Sequence, residues 1–148
     1  NALEKVSTTK NYIFFLSSFN QLLRYDYETN EIICLSETKI NNFFIDDSHI
    51  YFTTVKNSDV LCYANYDMSG ITEIGKINIE SIRYENGTIY LSDEDKNIWY
   101  INSNFSLNST GSKIPNSHGW DTDGEYIYTC DYAGEKVIAE KISYTNRR

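Results

Sequence analysis

Tyr12-Ile13-Phe14-Phe15, His49-Ile50-Tyr51-Phe52, Thr88-Ile89-Tyr90-Leu91 and Tyr126-Ile127-Tyr128-Thr129 are four versions of one short stretch. Aligned on Ile13, Ile50, Ile89 and Ile127, they recur at intervals of 37, 39 and 38 residues. A fixed period of this length marks a repeat architecture, and it takes precedence over local reading. Turn chemistry precedes the last three anchors, as Asp46-Asp47-Ser48, Glu85-Asn86-Gly87 and Asp121-Thr122-Asp123-Gly124; the first has the poorer Thr9-Lys10-Asn11.

Working outward, each turn is preceded by a segment able to form a short strand: Val6 to Thr8, Phe43 to Ile45, Ile82 to Tyr84 and Trp120 to Thr122. Beyond each anchor comes a third run, Leu22 to Tyr25, Val60 to Tyr63, Ile98 to Ile101 and Val137 to Ala139. A fourth follows as Glu31 to Leu35 and Ile71 to Ile74, whereas Asn108 to Lys113 reads as a polar stretch and the last repeat has only three strands. Four short strands per repeat predict an all-β chain, a β-propeller of about four repeats (4–38, 39–77, 78–115 and 116–148). The second strands are apolar on both faces, as a sheet sandwiched between two neighbours requires. A single β-sandwich has no reason for such a period, and a β-helix repeats over a shorter length. Gly134 to Ile142, read alone, has the spacing of a short amphipathic helix, but its register in the repeat makes it a strand.

Composition agrees. Among 148 residues, 13 Tyr, 7 Phe and 2 Trp accompany a single Pro, Pro115, and this is strand chemistry. Hydrophobic residues at 41% and charged residues at 23% fit a folded globular domain rather than a disordered chain. A net charge of −8 disfavours nucleic acid and anionic membranes, and no run of apolar residues is long enough to cross a bilayer. Cys34, Cys62 and Cys130 have no metal-type spacing and are odd in number, so each is expected to act as a small hydrophobe within a strand. The two histidines, His49 and His118, lie too far apart to suggest zinc, and no metal or cofactor is expected.

Ile50-Tyr51-Phe52-Thr53-Thr54, Ile89-Tyr90-Leu91-Ser92-Asp93 and Ile127-Tyr128-Thr129-Cys130-Asp131 resemble degenerate YWTD-type strands of low-density-lipoprotein-receptor propellers, and more closely the related bacterial domains. The resemblance spans nearly the whole chain, lacks the motif's Trp and has a shorter repeat. It implies a noncatalytic propeller, part of a larger bacterial surface protein, and hence an extracytoplasmic location. Asn1-Ala2, without Met, reads as a cloning or processing remnant of an excised domain. Just under four blades predict a small closed ring, or missing blades, or self-association through open blade faces.

Ligands of propellers are expected on the face formed by the loops joining second to third and fourth to first strands, and the second-to-third loops are here Ser17 to Gln21, Lys56 to Asp59, Ser92 to Asn97 and Asp131 to Lys136. Asp93, Glu94, Asp95, Asp131 and Tyr132 form the candidate ligand-binding set, because acidic loops attract a cation or a basic partner. His118 and Trp120 join it as a stacking candidate, although Trp120 falls in a packing column with Val6, Phe43 and Ile82. Tyr51, Tyr90 and Tyr128 repeat with the period, which assigns them to the core. Asp121 to Glu125 resembles part of a calcium loop but lacks the distant Glu, and reads as a turn. Three Asn-x-Ser/Thr matches, at Asn86, Asn104 and Asn108, are as frequent as chance allows in an Asn-rich chain.

No nucleophile elbow, phosphate loop or HExxH stands in the sequence, so no catalytic residue is assigned. The expected function is a noncatalytic module binding a protein or glycan partner through loops on one face. One alternative is a carbohydrate-binding or carbohydrate-cleaving propeller, with Asp93 and Asp131 as its acid pair. Another is a structural spacer.

Overall fold

The computed structural model describes residues 5–115, 119–131 and 133–144. All regular structure among them is β, in four antiparallel sheets that follow one another along the chain. The first contains β1 (Val6–Thr8), β2 (Tyr12–Leu16), β3 (Leu22–Asp26) and β4 (Glu31–Cys34), and the second β5 (Ile40–Ile45), β6 (His49–Thr54), β7 (Val60–Asn65) and β8 (Thr72–Lys76). The third contains β9 (Ile79–Glu85), β10 (Thr88–Asp93), β11 (Asn97–Ile101) and β12 (Leu107–Lys113). The fourth has three strands, β13 (Trp120–Thr122), β14 (Tyr126–Cys130) and β15 (Val137–Lys141). Within each sheet, every strand pairs with its neighbour in sequence, the meander that a propeller blade requires.

Two expectations need correction. The polar stretch before Pro115 is a full seven-residue strand, β12, because its inward hydroxyls find backbone partners: Thr110 Oγ1 donates to the Ile98 carbonyl at 2.7 Å. Cys34 is exposed, since β4 is the last strand of its sheet with little packed against it; Cys62 and Cys130 are partly buried. The Gly134 to Ile142 segment contains a strand, as the repeat register demands.

The chain forms two compact units, Asn1–Ile77 and Asn78–Arg148. In the first, Phe14 and Leu22 pack against Ile40, Phe43, Ile45, Ile50, Phe52 and Ala64 of the second sheet. Arg24 closes the edge of this core. Its guanidinium lies 4.4 Å from the centre of the Tyr12 ring and donates to the Tyr66 carbonyl at 3.0 Å. The Tyr66 hydroxyl donates in turn to the Asp46 carbonyl, and burial together with Asp46 and Asp47 raises its pKa, keeping it a neutral donor.

In the second unit, Tyr90, Ile98, Tyr100 and Ile114 pack against Trp120, Ile127 and Ile142. Trp120 is buried, as are Phe43 and Ile82 of its packing column, although Val6 of the same column is exposed. Tyr51 and Tyr90 are core residues, whereas Tyr128 is only partly buried. β6 and β10 are buried on both faces through most of their length, the property read from their composition.

Candidate functional site

The anchors make the repeated wiring visible. Four residues before Ile50 and Ile127 stand Asp46 and Asp123, and both close the first-to-second turn in the same way. Asp46 Oδ1 accepts from the amides of Ser48 and His49 at 2.9 and 2.8 Å, and Oδ2 from the Tyr51 hydroxyl at 2.5 Å. Asp123 Oδ1 accepts from Glu125 and Tyr126 at 2.9 and 2.8 Å, and Oδ2 from the Tyr128 hydroxyl at 2.7 Å. These are Asx turns with a tyrosine clamp. The bonds lower the Asp123 pKa, led by the Tyr126 amide and the Tyr128 hydroxyl, and the bond with Asp123 raises that of Tyr128. The calcium-like stretch therefore spends Asp123's oxygens on its own turn. The third repeat has Glu85 at this place and turns instead through Asn86-Gly87, both at positive φ (50° and 77°), a two-residue hairpin pairing Glu85 with Thr88.

Four residues after each anchor stand Ser17, Thr54, Asp93 and Asp131, at the root of the second-to-third loops. Ser17 Oγ accepts from Phe19 and Gln21, and Thr54 Oγ1 from Asn57. Asp131 Oδ1 accepts from the amides of Glu135 and Lys136 at 2.8 and 3.1 Å. Asp93 is the most engaged: Oδ1 takes the Asn97 amide at 2.9 Å, and Oδ2 the Trp99 indole Nε1–H at 2.8 Å, with Asn97 Nδ2 at 3.4 Å. Only 9% of Asp93 is exposed. Three of these loops share one further detail, a left-handed residue whose amide donates to the root residue's carbonyl: Asn20 to Ser17, Lys96 to Asp93 and Gly134 to Asp131.

The loops are also latched to the chain entering the next sheet. The amides of Ile40, Ile77 and Ile114, all buried, donate to the carbonyls of Asn20, Asp59 and Lys96, each at 2.8 Å. Lys39-Ile40, Lys76-Ile77 and Lys113-Ile114 recur every 37 residues, a sequence signal that the second-strand alignment overlooks.

With the roots fixed, the tips are what faces solvent. Of the sequence candidates, Asp93 and Asp131 stand at loop roots and Trp120 begins β13. Asp93 ends β10 and Asn97 begins β11, so the third loop shrinks to Glu94, Asp95 and Lys96, of which Glu94 and Asp95 are exposed. Lys96 Nζ pairs with Glu80 at 2.5 Å. Trp120 is 6% exposed; its indole donates to Ser81 Oγ at 2.8 Å, Ser81 bonds the buried Ser92 hydroxyl, and the Arg83 guanidinium lies 5.1 Å from the ring centre. His118 and Tyr132 lie outside the described residues. In the first unit each loop exposes one large apolar side chain, and sequence reasoning missed both: Phe19 is 74% exposed, and Val55, ahead of the exposed Lys56 to Asp59 turn, 49%. Large apolar side chains at loop tips are the signal that could have found them. Among the described residues no group of three His, Cys, Asp or Glu side chains could hold a metal ion, and no helix is long and apolar enough to cross a membrane.

No family model matches the chain, and no curated protein sequence matches it. Solved structures do. It is similar to Hsv2p from Kluyveromyces lactis at 15% identity over 95% of this chain and 48% of that one, with a TM-score of 0.56. BamB from Moraxella catarrhalis matches at 16% identity over 90% of this chain and 41% of that one, with a TM-score of 0.51. The N-terminal domain of Nup159 matches at 11% identity over 90% of this chain and 32% of that one, also with a TM-score of 0.51. The chain thus spans half or less of the length of these structures. At such identities the likeness speaks for fold alone, and that fold is the β-propeller, of which this chain carries four consecutive blade-type sheets.

Proposed function

We propose that this chain is a noncatalytic interaction module that binds a protein partner through the tips of its second-to-third strand loops. One observation carries the reading: the root of every such loop is hydrogen-bonded into the scaffold by Ser17, Thr54, Asp93 or Asp131, while the tips differ in chemistry from repeat to repeat. A scaffold that holds its loops rigidly and varies their tips suits recognition. The first unit offers Phe19 and Val55 as apolar anchors, and the second offers the carboxylates of Glu94 and Asp95. Asp93 and Asp131 support those loops, a role that accounts for their acidity without a glycosidase pair. His118 and Tyr132, close to Trp120 and Asp131 in sequence, complete the proposed set. A further solved structure similar to this chain is that of Dbp5 from S. cerevisiae bound to Nup159 and Gle1, a protein assembly.

The YWTD-type lineage, with Asp93 and Asp131 in the motif's last place, is part of the proposal, and so are a bacterial origin and an extracytoplasmic location. Affinity capture with the full-length protein tests it, comparing the parent with Phe19→Ser/Val55→Ser and with Glu94→Lys/Asp95→Lys. A single protein partner should be lost with at least one tip variant at unchanged melting temperature. Partner binding indifferent to both variants, or sugar-specific binding on a glycan array, overturns the reading. Fractionation of cells making the full-length protein tests the location.

A further inference from the structure

The last strands of the four sheets differ in how their free edges are guarded. β8 pairs with a register shift opposite Leu61 and Cys62 and carries Gly75 and Lys76. β12 has a shift opposite Asn97 to Trp99, Gly111 at φ 79° and Lys113. β15 carries Glu140 and Lys141. Bulges and lysines are the devices by which sheet edges avoid further pairing. β4 has none of them: Glu31-Ile32-Ile33-Cys34 runs in unbroken register with β3, all four residues are exposed, and Ile32 is 62% and Ile33 39% accessible.

The orientation of its backbone follows from one bond. The Leu35 amide donates to the Leu22 carbonyl, so in an antiparallel ladder the residues at 31, 33 and 35 face β3. The N–H and C=O groups of Ile32 and Cys34 then point outward, two donors and two acceptors in line. Acids bracket this edge, Asp26, Glu28 and Glu31 on one side and Glu37 on the other, with no base from Tyr25 to Thr38. Arg24 is turned away onto Tyr12 and Tyr66. A second copy pairing through Ile32 and Cys34 would set Ile33 against Ile33, and with it Glu31 opposite Leu35 and diagonal to Glu37 of the other copy. That arrangement sets one pair of carboxylates against each other at each end of the paired strands, between chains that each carry a net charge of −8.

We propose that the free edge of β4 accepts, as a fifth strand, an extended apolar segment of a partner protein flanked at both ends by Lys or Arg. The backbone of Ile32 and Cys34 supplies the ladder, Ile32 and Ile33 the apolar contact on the two faces, and Glu31 and Glu37 the charge selection. This surface is carried by the β4 strand and not by Phe19 or Val55, and the Phe19→Ser/Val55→Ser variant should leave it intact.

The probe is a synthetic peptide, Lys-Lys-Val-Thr-Val-Ile-Val-Lys-Lys, with a control in which Glu replaces every Lys. Added to the isotope-labelled protein, the first peptide should slow amide exchange at Ile32 and Cys34, and it should bind more tightly than the control. Glu31→Lys/Glu37→Lys, two exposed changes outside the core, should weaken the first peptide about fivefold and strengthen the control by a similar factor, as two cross-strand charge pairs allow. Unprotected Ile32 and Cys34 amides, equal affinity for the two peptides, or protection that appears without peptide as protein concentration rises would each overturn the proposal.

Discussion

Asp93 is where the loop-supporting and ligand-binding readings separate. Replacing it with Ala removes the acceptor of the Asn97 amide and of the Trp99 indole N–H, and leaves both donors in a partly buried corner. Hydrogen bonds to a charged group contribute about 1.5 to 3 kcal/mol each, and part of that returns if water reaches the vacated space, so a loss of about 3 kcal/mol is expected. With a urea slope of about 2 kcal/mol per molar, the unfolding midpoint should fall by about 1.5 M. Asp93→Asn keeps the shape but offers one oxygen to two donors, and should cost about half as much. Asp131→Ala, whose carboxylate serves two loop amides in an exposed loop, should cost only about 0.5 to 1 kcal/mol. Urea titration followed by Trp fluorescence measures all three, and the Trp99 indole N–H resonance should lose its exchange protection in Asp93→Ala. If Asp93→Ala unfolds within about 0.5 kcal/mol of the parent, the carboxylate is not holding this loop and its assignment to the scaffold is wrong.

The Asp123–Tyr128 clamp sets a pH window. Asp123 titrates below its unfolded value, so its contribution is present above about pH 4 and is lost as pH falls through the lowered folded pKa; Tyr128 titrates above its own value, so its contribution holds below about pH 10 and is lost above. Tyr128→Phe should move the Asp123 carboxyl midpoint back upward in an NMR titration. Lys96 and Gly134 occupy the same left-handed place, at φ 70° and 72°, and Gly134→Ala should destabilise by roughly 1 kcal/mol in urea unfolding. A maleimide should label Cys34 first and Cys62 last, because burial and Glu73 raise the Cys62 thiol pKa; mass spectrometry of a time course gives the order.

The period, the strand count and nearly every strand position were legible in the sequence, because each repeat writes the same apolar second strand between the same kinds of turn. What was hidden had local causes. β12 looks polar because Thr110 and Ser112 bury hydroxyls and Thr110 bonds to backbone, so the inward face of an edge strand carries no apolar alternation. Cys34 sits in the apolar run Ile32 to Leu35 and looks buried, but an edge strand can be apolar and exposed. Asp93 looks like a ligand group because a run of acids reads as a charged loop; its partner Trp99 lies on the next strand, and only the hairpin brings the two together. Trp120 fits both a stacking and a packing role in sequence, and its Ser81 bond decides for packing.

A rule for reading function from a repeat follows from these residues. A polar residue that recurs at the period and has its hydrogen-bonding atoms satisfied inside its own turn, as Asp46 and Asp123 do, is architecture. At the next places along the loop the copies diverge: Ser18 and Phe19 in the first, Val55 and Lys56 in the second, Glu94 and Asp95 in the third. Those side chains are exposed, lie beyond the hydrogen-bonded root, and can change without disturbing the strands on either side. In this chain the acids closest to the motif, Asp93 and Asp131, accept hydrogen bonds from the amides of their own loops. On the proposed reading, the departures from the repeat, Phe19 and Val55 in one unit, Glu94 and Asp95 in the other and the edge of β4, are where a partner would find something to recognise.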